Sequence, residues 1–321
     1  MTPQEMEART VRYGDLKPCK TAFIDAHTPG SDQKENFTII GSGVSESPDQ
    51  HVHIKETPGF NIGAAGQPPK CRNSLHVHRT AEVFFVLKGR WRFFWGRWGN
   101  AGGVVLEEGD IINIPTGIFR GFENIGTDYG MIMAILGGDD AGGGVIWAPQ
   151  VIEDAKDHGL ILGENGTLYD TTRGQTLPEG VRPMPVLTDE ELKAFPELTA
   201  SDLLPGYVGR YWDLMALAEK GPAKVIGTDA LLKDRPGFEV ELLTRGSIPE
   251  EPYGTERHEV LMVMRGHWRL SWEGGELILA PGDTCAVPPG LNRILAPTMT
   301  GEASLYRVRN TDDPPGPTLR H

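Results

Sequence analysis

The chain has 321 residues, 39% hydrophobic and 23% charged, a globular composition long enough for one large domain or two medium ones and unlike a disordered or coiled-coil chain. Its 31 Lys and Arg against 44 Asp and Glu leave a net charge of −13, which repels phosphate backbones and disfavours general nucleic-acid binding. The 41 glycines and 25 prolines favour many short strands and turns over long helices. Cys19, Cys71 and Cys285 are too few and too widely spaced for a disulfide framework or a cysteine zinc site. The opening MTPQEMEART carries no apolar stretch of the signal-peptide kind. Apolar runs such as Met131 to Leu136 are too short to span a bilayer. A soluble, reduced, cytoplasmic protein with no membrane partner is expected.

In chain order, residues 1–57 form an N-terminal arm. Its FIDAHTP and FTIIGSGV segments are expected to add strands to a barrel edge or to make a subunit contact, and His51 and His53 are expected to be ordinary strand histidines. An internal repeat follows. PGF from Pro58 recurs from Pro236, AEVFFVLKGRWRFFWG from Ala81 recurs as HEVLMVMRGHWRLSWE from His258, and EEGDIINIPTGIFR from Glu107 recurs as APGDTCAVPPGLNR from Ala280. Glu82 matches Glu259, Gly89 matches Gly266, Trp91 matches Trp268, and Trp95 matches Trp272. GRWGNAGG in the first copy shortens to EGG in the second, as a trimmed hairpin loop would. Aromatic and β-branched runs broken by glycine predict antiparallel hairpins, and Gly-Asp followed by an apolar run ending in proline predicts turn, strand, turn. Each copy, over 58–148 and 223–313, therefore reads as a small closed β-sandwich or barrel. GGDDAGGG from Gly137 lacks the lysine and helix of a phosphate loop and reads as the exit loop of the first barrel. Between the copies, residues 149–222 read as a helical, proline-rich linker. A helix is expected over Pro149 to His158, a second after the capping box Thr188-Asp-Glu-Glu191, and a third from Tyr211. Residues 314–321 are a tail.

The repeat resembles the paired motifs of the cupin superfamily, and two tandem copies resemble a bicupin. In the first copy His76-Val-His78, Glu82 and Gly89 match the first cupin motif. Gly109, Pro115-Thr-Gly117 and Asn124 match the second, with Arg120 in place of the third histidine and Lys70 in place of the leading glycine. The second copy keeps Glu259, Gly266, Gly282, Pro288 and Gly290. It has Tyr253 and Thr255 in the histidine places, Arg293 in the third, and Pro297 for the asparagine. The resemblance implies an all-β fold of two jelly-roll barrels. It implies a metal site only in the first and a degenerate pocket in the second, made of Tyr253, Thr255, Glu259 and Arg293. Many bicupins are dioxygenases, so with this ligand set the expected activity is an Fe(II) dioxygenase acting on a small carboxylated or aromatic compound, and cupins often pair as homo-oligomers.

The residues carry a reading of their own. His76 and His78 are two apart and share one face of a strand, and Glu82 agrees in parity. Four residues of straight strand span roughly 13 Å, whereas ligands of one ion lie within a few ångströms of each other, so the chain is expected to bend at Arg79-Thr80-Ala81. Two imidazoles and a carboxylate form a facial triad suited to Fe(II) and O₂; with Zn²⁺, Mn²⁺ or Ni²⁺ the same geometry suits lyase, isomerase or hydrolase chemistry. A metal-free binding or storage protein is the third reading. Arg120 either pairs with Glu82, as Arg293 would with Glu259, or recognises a substrate carboxylate as a catalytic and binding group. Phe84, Val86 and the indole of Trp91 are candidate pocket walls, and the repeated tryptophans otherwise pack between strands. His258 is expected to face away from the pocket. Cys285 is expected to be a buried small residue.

Overall fold

A computed structural model of the protein describes residues 1–138, 144–234, 237–248 and 251–312. The core of the glycine-rich exit loop at 139–143, Pro236 of the second PGF and the C-terminal tail lie outside the described residues.

Two barrels stand in tandem, each from one copy of the repeat. In the first, a seven-stranded sheet runs in the order Val208–Gly209, Ile111–Ile114, Glu82–Lys88, Gly130–Gly137, Phe60–Gln67, Glu35–Ile40, Val52–Ile54. A five-stranded sheet packs against it in the order Val145–Trp147, Arg72–His78, Arg120–Asn124, Trp91–Trp95, Gly102–Leu106. The second barrel pairs a six-stranded sheet with a three-stranded one. All of these pairings are antiparallel except that of Glu35–Ile40 with Val52–Ile54. Trp91–Trp95 forms a hairpin with Gly102–Leu106, but the hairpin expected across Gly89 does not form. Glu82–Lys88 pairs with Ile111–Ile114 and Gly130–Gly137 in the seven-stranded sheet while Trp91–Trp95 lies in the five-stranded one, so the chain crosses between sheets at Gly89, as it does at Gly266 in the second barrel. The three expected helices form at Pro149–Asp157, Asp189–Lys193 and Tyr211–Leu217, the second capped by Thr188 and Glu191 as the capping box predicts. Among the described residues no helix is long and apolar enough to cross a membrane.

The repeat extends further than PGF. VRYGDL from Val11 matches GRYWDL from Gly209, and the two segments are exchanged. Thr10 and Val11, which precede the first barrel, pair with Cys285 and Thr284 of the second. Val208 and Gly209, which precede the second barrel, pair with Ile112 and Ile111 of the first. The contacts repeat in detail. Arg12 Nη1 lies 2.7 Å from Asp283 and the Tyr13 amide donates to the same carboxylate at 2.9 Å, while Arg210 Nη1 and the Tyr211 amide meet Asp110 at 2.6 and 2.8 Å. Trp272 donates its indole N–H to the Met1 carbonyl, as Trp95 does to that of Leu198. The glycines of the two Gly-Asp turns have φ of +88°, and a Cβ on Gly109 or Gly282 would meet the ring of Tyr211 or Tyr13 at 2.3 or 2.5 Å, so both positions require glycine.

The rest of the arm serves the first barrel, where Glu35–Ile40 extends the sheet beside Phe60–Gln67. One apolar core runs between the barrels. Phe60 meets Phe238 with ring centroids 5.5 Å apart, Phe85 meets Tyr306 at 4.6 Å, and the Tyr306 hydroxyl donates to the Gly109 carbonyl at 2.7 Å. A second cluster fills the first barrel around Phe84, Phe93 and Phe122, and a third fills the second barrel around Trp268 and Leu270.

Candidate metal centre

The strand Arg72–His78 ends at His78 in the five-stranded sheet, and Glu82 opens the next strand in the facing sheet. The three residues between them turn the chain from one sheet to the other, which is the expected bend. His76, His78 and Glu82 are all buried, and one ligand atom from each lies within 4.8 Å of the others.

Both imidazoles are oriented through Nδ1. That of His76 faces the Ser74 carbonyl at 2.7 Å and that of His78 the Gly144 carbonyl at 3.0 Å. A carbonyl only accepts, so each ring presents an N–H at Nδ1 and leaves Nε2 as its other ring nitrogen. Burial, then Arg120, holds the His76 imidazole well below the ordinary histidine range, so it is neutral as a ligand must be. Burial, the largest single influence, would raise the Glu82 carboxyl, but Arg120, His78 and His76 together outweigh it and hold the group below the usual range, ionised.

Arg120 is adjacent to His76 across the ladder. Its Nε and Nη2 both donate to Glu82 Oε2, the first at 3.1 Å. The other oxygen, Oε1, faces His78 Nε2 at 3.5 Å. The ion pair and the three-residue cluster therefore coexist, one carboxylate oxygen serving each. Of the two alternatives for Arg120, the structure shows the ion pair: the guanidinium donates to Glu82 and does not line the cavity. Trp91 is corrected to the packing alternative. It is fully buried under Phe122, donates its indole N–H to the Lys88 carbonyl and does not line the cavity. Phe84 does line it, while Val86 is buried in the cluster beneath.

The cavity has a volume of about 60 Å³. The triad lies on its wall with Phe84, Phe122 and Trp147. The Trp147 ring stands 5.3 Å from that of His76 and donates its N–H to Glu46 at 2.6 Å. A second set of groups lies behind His76. Asp25 pairs with Lys34 and accepts from the Ser74 amide at 3.0 Å, and Lys34 donates to Asn73 at 3.0 Å. Sequence reading missed Asp25, Lys34, Asn73 and Glu46, because nothing in their spacing ties them to the histidines.

The second barrel has the same ion pair without the ligands. Arg293 Nη2 lies 2.7 Å from Glu259 Oε1, which also accepts from the Tyr253 hydroxyl at 3.1 Å, while Arg309 takes Oε2 at 2.8 Å. Neither oxygen of Glu259 is free. Where the first barrel has a strand carrying histidines, the second has, among the described residues, an isolated bridge from Tyr253 to Arg293. The register differs between the two barrels: Gly63 faces Ala134 across the first sheet and Leu136 faces Glu82, whereas Glu241 faces Arg307 and Arg309 faces Glu259 in the second. Small side chains stand beside the triad in the first barrel; in the second, Arg307 and Arg309 line, with Tyr253, a cavity of about 360 Å³ that has no histidine among its described lining residues.

The remaining candidates are placed as expected. His53 Nε2 accepts from the Lys17 amide and belongs to no cluster of metal-ligating residues found among the described residues. Cys285 is fully buried, which pushes its thiol up to about 11. Lys70, in the place of the motif's leading glycine, has φ of +66°, the left-handed backbone that glycine adopts freely.

No protein-family profile and no curated protein matches the chain by sequence. Solved structures match in fold. An R92A mutant of Bacillus subtilis oxalate decarboxylase is 13% identical at a TM-score of 0.56, covering 95% of this chain and 78% of its own. Lactobacillus farciminis oxalate decarboxylase, solved as a formate complex, is 12% identical at 0.55, covering 94% and 85%. A salicylate 1,2-dioxygenase from Pseudaminobacter salicylatoxidans is 15% identical at 0.48, covering 79% and 71%, a likeness too slight to argue from. Sheet order, paired barrels and the likeness to the two oxalate decarboxylases together give the chain the bicupin fold, with its His-His-Glu cluster in the first barrel.

Proposed function

We propose that the protein is a metal-dependent enzyme whose first barrel binds one divalent cation through His76 Nε2, His78 Nε2 and Glu82 Oε1, and that it is a non-haem Fe(II) dioxygenase acting on a small organic molecule. The observation that carries this reading is the set of three donor atoms within 4.8 Å, with both Nδ1 atoms already occupied by carbonyls. Two neutral imidazoles and one carboxylate on one side of an ion leave positions open opposite them, and an iron held so supplies O₂ and substrate activation. The chain's own groups do the rest. Ser74 and Gly144 carbonyls fix the imidazoles, Arg120 keeps Glu82 ionised and turned, and Phe84, Phe122 and Trp147 exclude water from the chamber.

The reading is tested by reconstituting metal-free protein anaerobically with Fe(II), then measuring oxygen uptake and product against candidate small molecules. Iron-dependent uptake that disappears in a His76→Ala, His78→Ala double variant is expected. Full turnover without oxygen, or undiminished activity without any metal, would overturn it.

A further inference from the structure

On the proposed reading, the chamber of the first barrel must also recognise the part of the substrate that lies away from the triad. Among the described residues lining it there is no lysine or arginine, and residues 139–143, which precede the lining residue Val145, are DDAGG and contain none. Its polar groups are nearly all used. Thr38 donates to Gln50 at 2.9 Å, Ser45 to the Ala22 carbonyl at 3.3 Å, and Asn73 accepts from Lys34 at 3.0 Å. The exception is Asn36. Its Oδ1 is buried and has no hydrogen-bond partner, and the residue lines the cavity.

The position follows from the register. Asn36 pairs with Ala65 and Thr38 with Gly63, on the strand two beyond Gly130–Gly137 in the sheet that carries Glu82. Ala65 and Ala134 belong to the apolar cluster inside the first barrel, so Asn36 and Thr38 share the inward face. A buried amide oxygen without a donor is costly to leave so, and a ligand that brings an N–H or O–H removes that cost on binding. The chamber of about 60 Å³ is well below the ~150 Å³ that holds a benzene ring.

We infer that Asn36 is a specificity-determining residue of this chamber. It accepts a hydrogen bond from a small, non-aromatic substrate that is uncharged at the end remote from His76, His78 and Glu82. This rests on the chamber being the substrate site. It replaces the expected carboxylate anchor with a neutral donor.

Propanamide and butan-2-one have the same number of heavy atoms and the same carbonyl, but only the amide has N–H donors. Their dissociation constants for the metal-reconstituted full chain are read by ligand-observed NMR, with metal content measured on every sample. The wild type is expected to prefer propanamide by about tenfold, the worth of one hydrogen bond to an otherwise unpaired acceptor. Asn36→Ala is expected to bring that ratio near one by weakening propanamide alone, with metal content unchanged. Asn36→Asp, which keeps an acceptor, is expected to keep the preference. Equal affinities in the wild type, a preference that survives Asn36→Ala, or no binding of either probe would overturn the inference. A wild type that shows the ratio but holds no metal rejects the proposed function and leaves this inference standing; a metal-loaded wild type without the ratio does the reverse.

Discussion

Glu82 divides its two oxygens between an arginine and a metal-ligating pair of histidines, and that division is the chemistry of the site. Arg120 and Glu82 are almost wholly buried, with side chains 2% and 6% exposed. Removing one partner of such a pair leaves an uncompensated charge in the interior. Arg120→Met is therefore expected to destabilise the protein by about 3–5 kcal/mol in urea unfolding and to lower metal occupancy, since Glu82 loses the group that turns and ionises it. A milder loss in Glu82→Gln/Arg120→Met than in Arg120→Met alone would mark the pair as the cause. Glu46 offers a test in pH. Burial, resisted by the Trp147 and Ile24 donors, pushes its carboxyl up to about 8. A carboxyl raised in the folded state binds its proton more tightly folded than unfolded, so its contribution is full below the ordinary value near 4.5 and is lost as pH rises through 8. Stability should fall over that window, and Glu46→Gln should flatten the fall. Thermal unfolding across the pH range measures both. At this scale much of the site could be read from the sequence. His76, His78 and Glu82 follow from parity and motif, and the alternatives for Arg120 included the ion pair that forms. Asn36 could not be read, because its importance lies in lacking a partner, which no spacing records.

At the scale of elements, the exchanged arms bind each barrel to the segment that precedes the other. The arm strand is two residues long, but it is fixed by one carboxylate that takes both a guanidinium and a backbone amide. Asp283→Ala would leave Arg12 and the Tyr13 and Ala280 amides without that acceptor and is expected to cost about 2–4 kcal/mol. Thr10 and Met6 cover Cys285, whose sulfur lies 3.7 Å from that of Met6. Deleting residues 1–13 should therefore open Cys285 to thiol reagents while the first barrel still takes up metal. A Cys285 that stays unreactive in the truncated protein would contradict the exchange. The strands of the repeat and the short helices of the linker were legible from aromatic and β-branched runs, turn residues and caps, though the crossing between sheets at Gly89 was not. The exchange was not, because VRYGDL and GRYWDL are six residues long and sit at a different offset from the rest of the repeat. Nor does a sequence say which barrel a connecting segment joins.

The molecule is two barrels with one shared core and, among the described residues, one cavity that carries a histidine–carboxylate cluster. Phe60, Phe238, Phe85 and Tyr306 join the barrels in one apolar core, with the Tyr306 hydroxyl bonded across it to Gly109, so the barrels are expected to unfold together in a single calorimetric transition. Phe238→Ala should lower the midpoint by removing about 3–5 kcal/mol. The asymmetry of the two carboxylates has a plain physical cause. Glu82 gives only Oε2 to an arginine and turns Oε1 to His78, whereas Arg293 and Tyr253 take one oxygen of Glu259 and Arg309 the other. Cation stoichiometry tests this most directly. Metal-free protein titrated anaerobically with Fe(II), or with Zn²⁺ as a redox-inert stand-in, is expected to bind one equivalent per chain, lost in the His76→Ala, His78→Ala double variant and retained in Glu259→Gln. No bound ion, or two equivalents of which one disappears with Glu259, would contradict the account.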